Sequence, residues 1–261
     1  MHRIQRASDR SCQQQTSTIY KIASVLFWIL IWFIASLLIK EELFLPSPFK
    51  TFEALLSLAC ENSFWKSILF SLSRVTLGIV LSVALALVFA PLSYRFSFVE
   101  SLLDPLLKTI KATPVASIVI LVLLWIKSKN LSVVISFLMV FPVIYTSLLE
   151  GLKNISGDII EMADVYKIKG FKRIRYIYIP LVMPFFKASS KTALAMGWKS
   201  AVAAEVIGLP AYSIGSELYS SKVYFDTPRL FAWTIVIIIL SIIFEKFFLA
   251  LLAFLERRLI K

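Results

Sequence analysis

Long apolar stretches, separated by short polar ones, determine the organisation of this chain. We identify six of them; an α-helix needs roughly 20 apolar residues to cross the ~30 Å hydrocarbon core of a membrane. They lie at 22–39, 67–92, 112–126, 131–149, 181–209 and 230–254. Pro114 interrupts the third stretch near its start. The pattern predicts an all-α, polytopic membrane bundle of about six transmembrane helices.

A polar, basic segment at 158–184 lies between the fourth and fifth apolar stretches. Asp158 is the predicted N-cap of a helix, because Glu161 follows three residues later as in a capping box. Gly170 predicts a break, since glycine adopts a left-handed backbone at little cost. A second helix must then end or kink near Pro180, which has no N–H to donate. The segment therefore predicts two short helices that present a partly apolar surface with a basic rim to water.

The segment between the first two apolar stretches predicts a turn followed by a short helix. The turn is LPSP at 45–48, and the sequence that follows it, FKTFEALLSLAC at 49–60, is typical of a helix lying at the membrane interface. Four glutamates and one lysine make the segment from 41 to 65 acidic.

The distribution of Lys and Arg indicates the orientation of the chain. Cytoplasmic loops of membrane proteins carry an excess of these residues. With both termini cytoplasmic, the cytoplasmic segments hold more than twice as many Lys and Arg as the external ones. Lys127 and Lys129 are the local exception, and they leave the ends of the third and fourth stretches poorly defined. We predict a disordered cytoplasmic tail at 1–20 and a multi-pass membrane domain at 21–261.

The composition excludes several classes of function. The chain has 261 residues, of which 59% are hydrophobic, and a formal net charge of +12. Its basic residues flank the apolar stretches and form no basic face with interleaved aromatics, so nucleic acid is not an expected partner. The chain has a single histidine, His2, and two cysteines, Cys12 and Cys60. We therefore expect neither histidine-based catalysis nor a metal site. We predict that the chain is not an enzyme.

The sequence contains no GxxxxGK[ST] loop. That motif places backbone N–H groups around nucleotide phosphates, and GWKS at 197–200 imitates only part of it inside the fifth stretch. We therefore expect no cofactor in this chain itself. Any ATP and Mg²⁺ on which it depends must be bound by a partner subunit.

Charged residues inside the apolar stretches are the candidates for a translocation path. Arg74 lies in the second stretch, and Lys199 and Glu205 lie in the fifth. A charge near the membrane centre costs roughly 2.5–3.5 kcal/mol, so such residues usually face a bundle interior or a wet cavity. Two interpretations stay open, a path in which Arg74 or Lys199 attracts an anion and a structural ion pair. Lys187 and Lys191 lie near the end of a stretch, where their side chains can reach the interface.

The polar segment resembles the cytoplasmic signature loop of binding-protein-dependent ABC importer permeases, in which EAA is followed by a glycine and then by I-x-L-P. The residues at the EAA and I-x-L-P positions are Glu161, Met162, Ala163, Ile177, Ile179 and Pro180. Met162 replaces an alanine of the pattern, and Lys167 occupies the usual glycine position. We expect Gly170 to provide the turn instead, so that the first helix runs a few residues longer than the family pattern implies.

Further segments are similar to the nitrate, sulfonate and taurine-type permeases. They are LPSP at 45–48, SLSRVTLG at 71–78, LDPLLKTIKATP at 103–114 and AAEVIG at 203–208. The resemblance implies a type I importer permease of the bacterial inner membrane. It would act as a homodimer bound to two ATPase subunits, and an external solute-binding protein would deliver a small anion such as a sulfonate, taurine or nitrate.

The resemblance also implies which residues couple the permease to its ATPase. They lie in a coupling loop at 156–180 whose first helix contacts the ATPase through Glu161 and Ala163. The full set is Asp158, Glu161, Met162, Ala163, Lys167, Gly170, Ile177, Ile179 and Pro180.

One alternative is an ion-coupled secondary transporter that works without an ATPase. Such a protein would need intramembrane acidic residues for ion coupling and an inverted repeat. Only Glu205 and Glu245 qualify as intramembrane acids, and the sequence shows no repeat. The permease interpretation is therefore preferred.

Overall fold

Helices joined by short turns make up the fold, and no strand occurs among the residues that the structure describes. The structure is a computed structural model that describes residues 20, 23–41 and 43–260. The predicted tail at 1–20 lies outside the described residues, Tyr20 excepted. The α-helices are α1 Ala23–Ile39, α2 Pro48–Ala59, α3 Asn62–Arg95, α4 Ser97–Ala112, α5 Val115–Leu123, α6 Leu131–Lys153, α7 Gly157–Val165, α8 Phe171–Arg173, α9 Ile179–Gly208, α10 Ile214–Val223 and α11 Thr227–Ile260. A 3₁₀ turn at Ser128–Asn130 precedes α6, and a π-helix at Ile174–Tyr178 precedes α9.

The chain divides into two compact units, one formed by residues up to 60 with 221–233 and the other by 61–220 with 234–261. In the first unit, the predicted LPSP turn and the helix after it are confirmed. Ser47 is the N-cap of α2 and accepts a hydrogen bond from the Lys50 N–H, with Pro48 at the first helical turn. The indole N–H of Trp32 donates to the Pro46 carbonyl at 3.1 Å, which attaches the turn to α1.

In the second unit, α3, α6 and α9 form the core. Val75 and Ile79 of α3, Ile144 of α6, and Leu194 and Trp198 of α9 are among its most buried side chains. Close approach depends on small residues, as it commonly does between membrane helices. A Cβ atom on Gly78 would overlap the Ser136 hydroxyl and the Val133 carbonyl, and one on Gly197 would overlap the Val140 side chain.

We call the two ends of the second unit the α7 end and the α10 end, after the helices that lie there. At the α7 end, α6 finishes at Lys153, whose ammonium binds Glu100 of α4 at 2.6 Å. At the α10 end, α6 begins at Leu131 and α9 finishes at Gly208, where a Cβ atom would overlap the Leu131 side chain. α6 and α9 are therefore antiparallel neighbours.

The third predicted span, at 112–126, is wrong as a single helix. α4 and α5 meet at a bend of 107°, and α5 has only 9 residues, or about 13 Å. The bend falls at Thr113 and Pro114, both of which have an extended backbone. Proline has no N–H to continue the helix and disfavours helical geometry in the residue before it. The segment between the second and third apolar stretches forms the helix α4.

The bent pair of α4 and α5 still extends from the α7 end of the second unit to its α10 end. α4 contacts the α7 end of α6 through Glu100 and Lys153. α5 packs near the α10 end, where Val119 lies in a second buried cluster with Leu131 and Ile135. α4 and α5 together therefore occupy the place of the predicted span.

Length and composition allow three of the described helices to cross a membrane, or four if the bent pair counts as one span. The three are α3, the 128–153 segment that contains α6, and the 227–258 segment of α11. α1 is shorter, and α9 is about 45 Å long but carries four charged residues, Lys187, Lys191, Lys199 and Glu205. The predicted total of six spans stays a prediction.

Candidate functional site

The predicted coupling loop begins at α7, whose N-cap lies two residues earlier than predicted. Ser156, with an extended backbone, is the N-cap, and its side chain makes no capping hydrogen bond. Asp158 already lies within the first turn of α7, so its prediction as the N-cap is wrong. A capping box between Asp158 and Glu161 is not formed, because the N-cap residue of that motif must lie outside the helix.

The turn after α7 lies at Lys167, not at Gly170 as predicted. Lys167 has a left-handed backbone, with φ of 54°. The Ile168 N–H donates to the Ala163 carbonyl at 2.8 Å, and the Lys167 N–H donates to the Asp164 carbonyl at 3.0 Å. This pair of bonds is a Schellman motif, which ends a helix and normally has glycine at the left-handed position. α7 therefore stops at Val165 and does not run longer than the family pattern.

Gly170 makes a second break three residues later. Its backbone has φ of 59° and ψ of −135°, a region that is open almost only to glycine. α8 starts immediately afterwards, and the Arg173 guanidinium returns to bind the Asp164 carboxylate at 2.8 Å. The loop is thus a closed turn between α7 and α8 with a defined shape.

Ala163 is the only residue of α7 that is buried, with no exposed surface. The close approach that a small side chain allows is therefore made within this chain. Glu161 and Met162, its neighbours in the EAA pattern, are exposed. An outside partner would meet these two residues first, while Ala163 holds the helix against the rest of the protein.

Large apolar side chains are exposed along the loop. Met162, Val165, Tyr166, Phe171 and Tyr176 are between 49% and 78% exposed. We call these five residues the apolar loop face. Single exposed apolar side chains are common, but several of them close together in a polar loop are typical of an interaction surface.

The I-x-L-P positions connect this loop to α9. Ile177 is buried within the π-helix, whereas Ile179 and Pro180 are half-buried at the start of α9. The predicted end or kink at Pro180 takes the form of this π-helix, because Pro180 cannot donate the usual hydrogen bond to the residue four positions earlier. The chain then continues without a break into α9.

A buried carboxylate joins four helices at the α10 end of the second unit. Glu205 of α9 is fully buried. It accepts hydrogen bonds from the Ser71 hydroxyl of α3 at 2.7 Å, from the Ser132 hydroxyl of α6 at 2.8 Å and from the Gly215 N–H of α10 at 3.2 Å. The Ser71 oxygen in turn accepts from the Ile214 N–H at 3.0 Å.

The start of α10 fits this carboxylate closely. A Cβ atom on Gly215 would lie 2.6 Å from the Glu205 carbonyl carbon and closer still to its Cβ, so only glycine can approach α9 here. Carboxylates are favoured at a helix N-terminus, where backbone N–H groups carry partial positive charge. Glu205 therefore holds the first turn of α10 against the three core helices.

Arg74 and Lys199 do not form an ion pair with Glu205. The Arg74 guanidinium lies over the Phe70 ring, with its central carbon 3.5 Å from the ring centroid. One terminal nitrogen of Arg74 is buried and has no hydrogen-bond partner. Lys199 is exposed on another face of α9. Hydroxyl and N–H donors, and not a cation, thus satisfy the buried carboxylate.

Comparison with known proteins assigns the chain to a family. Residues 78–261 match the binding-protein-dependent transport system inner membrane component family. The chain belongs to this family. It is thus a transport permease, and its all-α architecture is that of a type I ABC permease.

Three permeases illustrate the range of relatives that are similar to this chain. The putative aliphatic sulfonates transport permease protein SsuC of Bacillus subtilis (strain 168) is 23% identical over 219 residues, which cover 83% of this chain and 77% of that protein. The taurine transport system permease protein TauC of Escherichia coli (strain K12) is 26% identical over 220 residues, which cover 82% and 80%. The riboflavin transport system permease protein RibX of Chloroflexus aurantiacus (strain ATCC 29366 / DSM 635 / J-10-fl) is 27% identical over 135 residues, which cover 51% and 50%.

The permease exposes an unusual stripe along α9. Its exposed residues recur every three to four positions, as one face of a helix requires. They include Pro184, Ala188, Lys191, Thr192, Met196, Lys199 and Ala203. We call this set the α9 stripe. Apart from Met196 its members are small, polar or cationic, and the exposed large apolar residues Leu181 and Ile207 lie at its two ends.

Sequence reasoning missed the partners of Glu205. Ser71 and Ser132 lie within or beside predicted spans, and Gly215 lies in a predicted loop that contains α10. Serine often bonds to its own helix, so its presence in an apolar stretch does not predict a distant partner. The sequence feature that came nearest to indicating these partners was the intramembrane charge of Arg74, one helical turn from Ser71 in the SLSRVTLG segment.

Proposed function

We propose that this chain is the membrane-spanning permease of an ATP-driven importer, and that the apolar loop face binds a separate ATPase subunit. The observation that carries the proposal is the exposure of Met162, Val165, Tyr166, Phe171 and Tyr176 in a loop of defined shape. A partner that covered these side chains would remove apolar surface from water, which is the main favourable contribution to such association.

The shape of the loop supports a coupling role. The Lys167 turn, the Gly170 turn and the ion pair between Asp164 and Arg173 hold α7 and α8 together. The π-helix then joins this unit directly to α9. A displacement of α7 by a bound ATPase would therefore act on α9, the helix that carries Lys199 and Glu205.

The solute is proposed to be a small sulfonate-like anion delivered by an external binding protein. Two similar permeases are named for aliphatic sulfonates and for taurine. The α9 stripe carries two lysines, Lys191 and Lys199, which would attract an anion in a low-dielectric path. The stripe is proposed to face a second copy of the chain, so that two stripes line one path in the inner membrane. Both termini would be cytoplasmic.

The test is uptake by the permease reconstituted into liposomes with the ATPase and binding protein of its own importer. With ethanesulfonate and taurine as probes, uptake should require ATP. Val165→Asp should reduce ATP-driven uptake at least tenfold, because a carboxylate would be buried in an apolar contact. The chain should still insert into the membrane, because Val165 is 78% exposed and contributes little to its own fold.

The matched control is Asn154→Asp, which adds the same charge at an exposed position between α6 and α7 but outside the apolar loop face. Its uptake should equal that of the unchanged protein. Uptake that an ion gradient drives without ATP would instead indicate a secondary transporter. Normal uptake by Val165→Asp would remove the apolar loop face from the coupling mechanism.

A further inference from the structure

Two neighbouring cavities lie along the groove between α4 and α6 in the second unit. The first, which we call the break cavity, has a volume of about 260 Å³ and is lined by the residues around the bend between α4 and α5, by the middle of α6 and by Met196 of α9. The second, the polar cavity, has a volume of about 310 Å³ and lies between α4 and the α7 end of α6.

Lys111 lines both cavities. It is the one charged residue among the described residues that line the break cavity. In the polar cavity, the other lysines have carboxylate partners, since Lys108 binds Asp104 and Lys153 binds Glu100, each at 2.6 Å. The Lys111 ammonium instead donates to the Thr146 hydroxyl at 3.4 Å, a long bond to a neutral group. Lys111 therefore forms no ion pair with a described carboxylate, although Glu150 also lines the polar cavity.

The break cavity lies halfway along α6. Pro142, which lines it, is the central residue of that helix and is about 16 Å from either end. At such a depth in a membrane, backbone that departs from a helix is tolerated only where protein covers it or where it lines a water-filled cavity. A lysine at the same place also indicates access to water, because an ammonium in hydrocarbon is costly.

A second cation lies close along α9. Met196 lines the break cavity, and Lys199 follows it by about one helical turn on the same exposed α9 stripe, toward the α10 end. An anion that moved along the stripe from the α10 end would therefore meet Lys199 and then Lys111. The described lining of the break cavity contains no carboxylate that would repel it.

We propose that the break cavity is an anion-binding site in which the Lys111 ammonium holds the charged group of a small sulfonate or carboxylate. The inference rests on the proposed function and assigns the solute a place within the permease. A volume of about 260 Å³ is below the 300–1,000 Å³ that is usual for drug-sized ligands, so the site selects small solutes. The polar cavity, in contrast, is lined by the carboxylates Glu100, Asp104 and Glu150, which would repel the same anion.

The experiment measures access of a sulfonate to this cavity directly. Thr113→Cys, in a chain that also carries Cys12→Ser and Cys60→Ser, places one thiol in the lining of the break cavity. In membranes that contain the full importer, the thiol is treated with 2-sulfonatoethyl methanethiosulfonate or with the 2-aminoethyl reagent, which is cationic. The ratio of the two rate constants, normalised to a free thiol in solution, reports the local preference for anions.

Lys111→Gln should lower this ratio about tenfold, because it removes one unit of positive charge a few ångströms from the thiol. Lys111→Arg should retain it. Lys246→Gln is the matched control, since it removes an exposed lysine from another membrane helix, α11, and should leave the ratio unchanged. In the chain with Lys111 intact, an excess of ethanesulfonate should slow labelling, whereas an equal concentration of ethylene glycol should not.

Three results would overturn the proposal: no labelling of Thr113→Cys, a ratio that Lys111→Gln does not change, or no protection by ethanesulfonate. The ethanesulfonate arm needs no change at Lys111, so it remains decisive if Lys111→Gln fails to insert. Failure here would leave ATP-driven uptake intact, whereas failure of the proposed function would appear as uptake without ATP.

Discussion

At the scale of single residues, Lys167 shows how a side chain can occupy a position that favours glycine. The left-handed backbone costs a residue with a Cβ atom roughly 1–2 kcal/mol. The two hydrogen bonds of the Schellman motif, with Ala163 buried beneath them, determine where α7 ends regardless of that cost. The family pattern of a glycine here therefore reflects backbone geometry that this chain retains without the glycine.

Lys167→Gly should accordingly stabilise the loop. Relief of the left-handed strain exceeds the added freedom of the unfolded chain, and the net gain should be about 1 kcal/mol. Hydrogen exchange provides the measurement, because the Ile168 amide should exchange about fivefold more slowly as its bond to the Ala163 carbonyl opens less often. Lys169→Gly is the control, since Lys169 has no left-handed backbone to relieve. Equal slowing in both variants would contradict the argument.

At the scale of helices, the Glu205 carboxylate fixes one arrangement of α3, α6 and α9, which apolar packing alone does not. Packing of α3, α6 and α9 depends on shape and tolerates small changes of register, whereas hydrogen bonds from Ser71, Ser132 and Gly215 fix one arrangement. Buried polar groups of this kind contribute to specificity only when all of them are satisfied. Glu205 meets that condition with donors from three other helices.

Glu205→Leu should therefore destabilise the bundle by about 3 kcal/mol, because it leaves the donors of Ser71, Ser132 and Gly215 without their acceptor in a buried place. Glu205→Gln should cost less, since one amide oxygen still accepts. Thermal unfolding of the detergent-solubilised protein measures the difference, at about 2–4 °C for each kcal/mol. Glu245→Leu on α11 is the control, and a melting temperature equal to that of Glu205→Leu would contradict the role given to Glu205.

At the scale of the whole molecule, the α9 stripe is the surface that one chain alone leaves unexplained. Lys199 would be costly against lipid, and Ala188 and Ala203 offer little apolar area to it. Small residues allow the backbones of two helices to approach closely. The proposed homodimer would place two such stripes opposite each other around the solute.

A thiol cross-linking experiment tests this arrangement. In the cysteine-free background, Ala188→Cys or Ala203→Cys should yield a cross-linked dimer with a bifunctional reagent about 10 Å long, a reach close to the usual distance between packed helices. Ile243→Cys on α11, whose side chain is 57% exposed, is the control and should remain monomeric. A dimer from the control alone, or from none of the three, would contradict the proposed face.

The apolar pattern was sufficient to predict most long helices, and it failed where local geometry decides. The fourth, fifth and sixth predicted spans agree closely with α6, α9 and α11. The third failed because Thr113 and Pro114 have an extended backbone, so that α5 begins only at Val115, and it already ends at Leu123. The predicted end of α7 was wrong because the left-handed backbone of Lys167 depends on tertiary contacts, which the amino-acid composition does not reveal.

The site residues show the same limit. The spacing from Glu161 to Pro180 predicted a loop of two short helices, which the structure contains as α7 and α8. The direction in which each side chain points was not predictable, as the burial of Ala163 beside the exposed Met162 shows. The place of Lys111 beside the middle of α6 was not predictable either, because it depends on the bend between α4 and α5.

The partners of Glu205 also bear on the order in which the chain is made. Synthesis runs from the N-terminus, so α3 and α6, with Ser71 and Ser132, leave the ribosome before α9 does. α9 carries four charges and is poorly suited to enter lipid alone. Its carboxylate meets two hydroxyls that are already in place, and α10 follows with the third donor. Glu205 thus takes two of its donors from helices that are made before α9 and the third from the helix that is made after it.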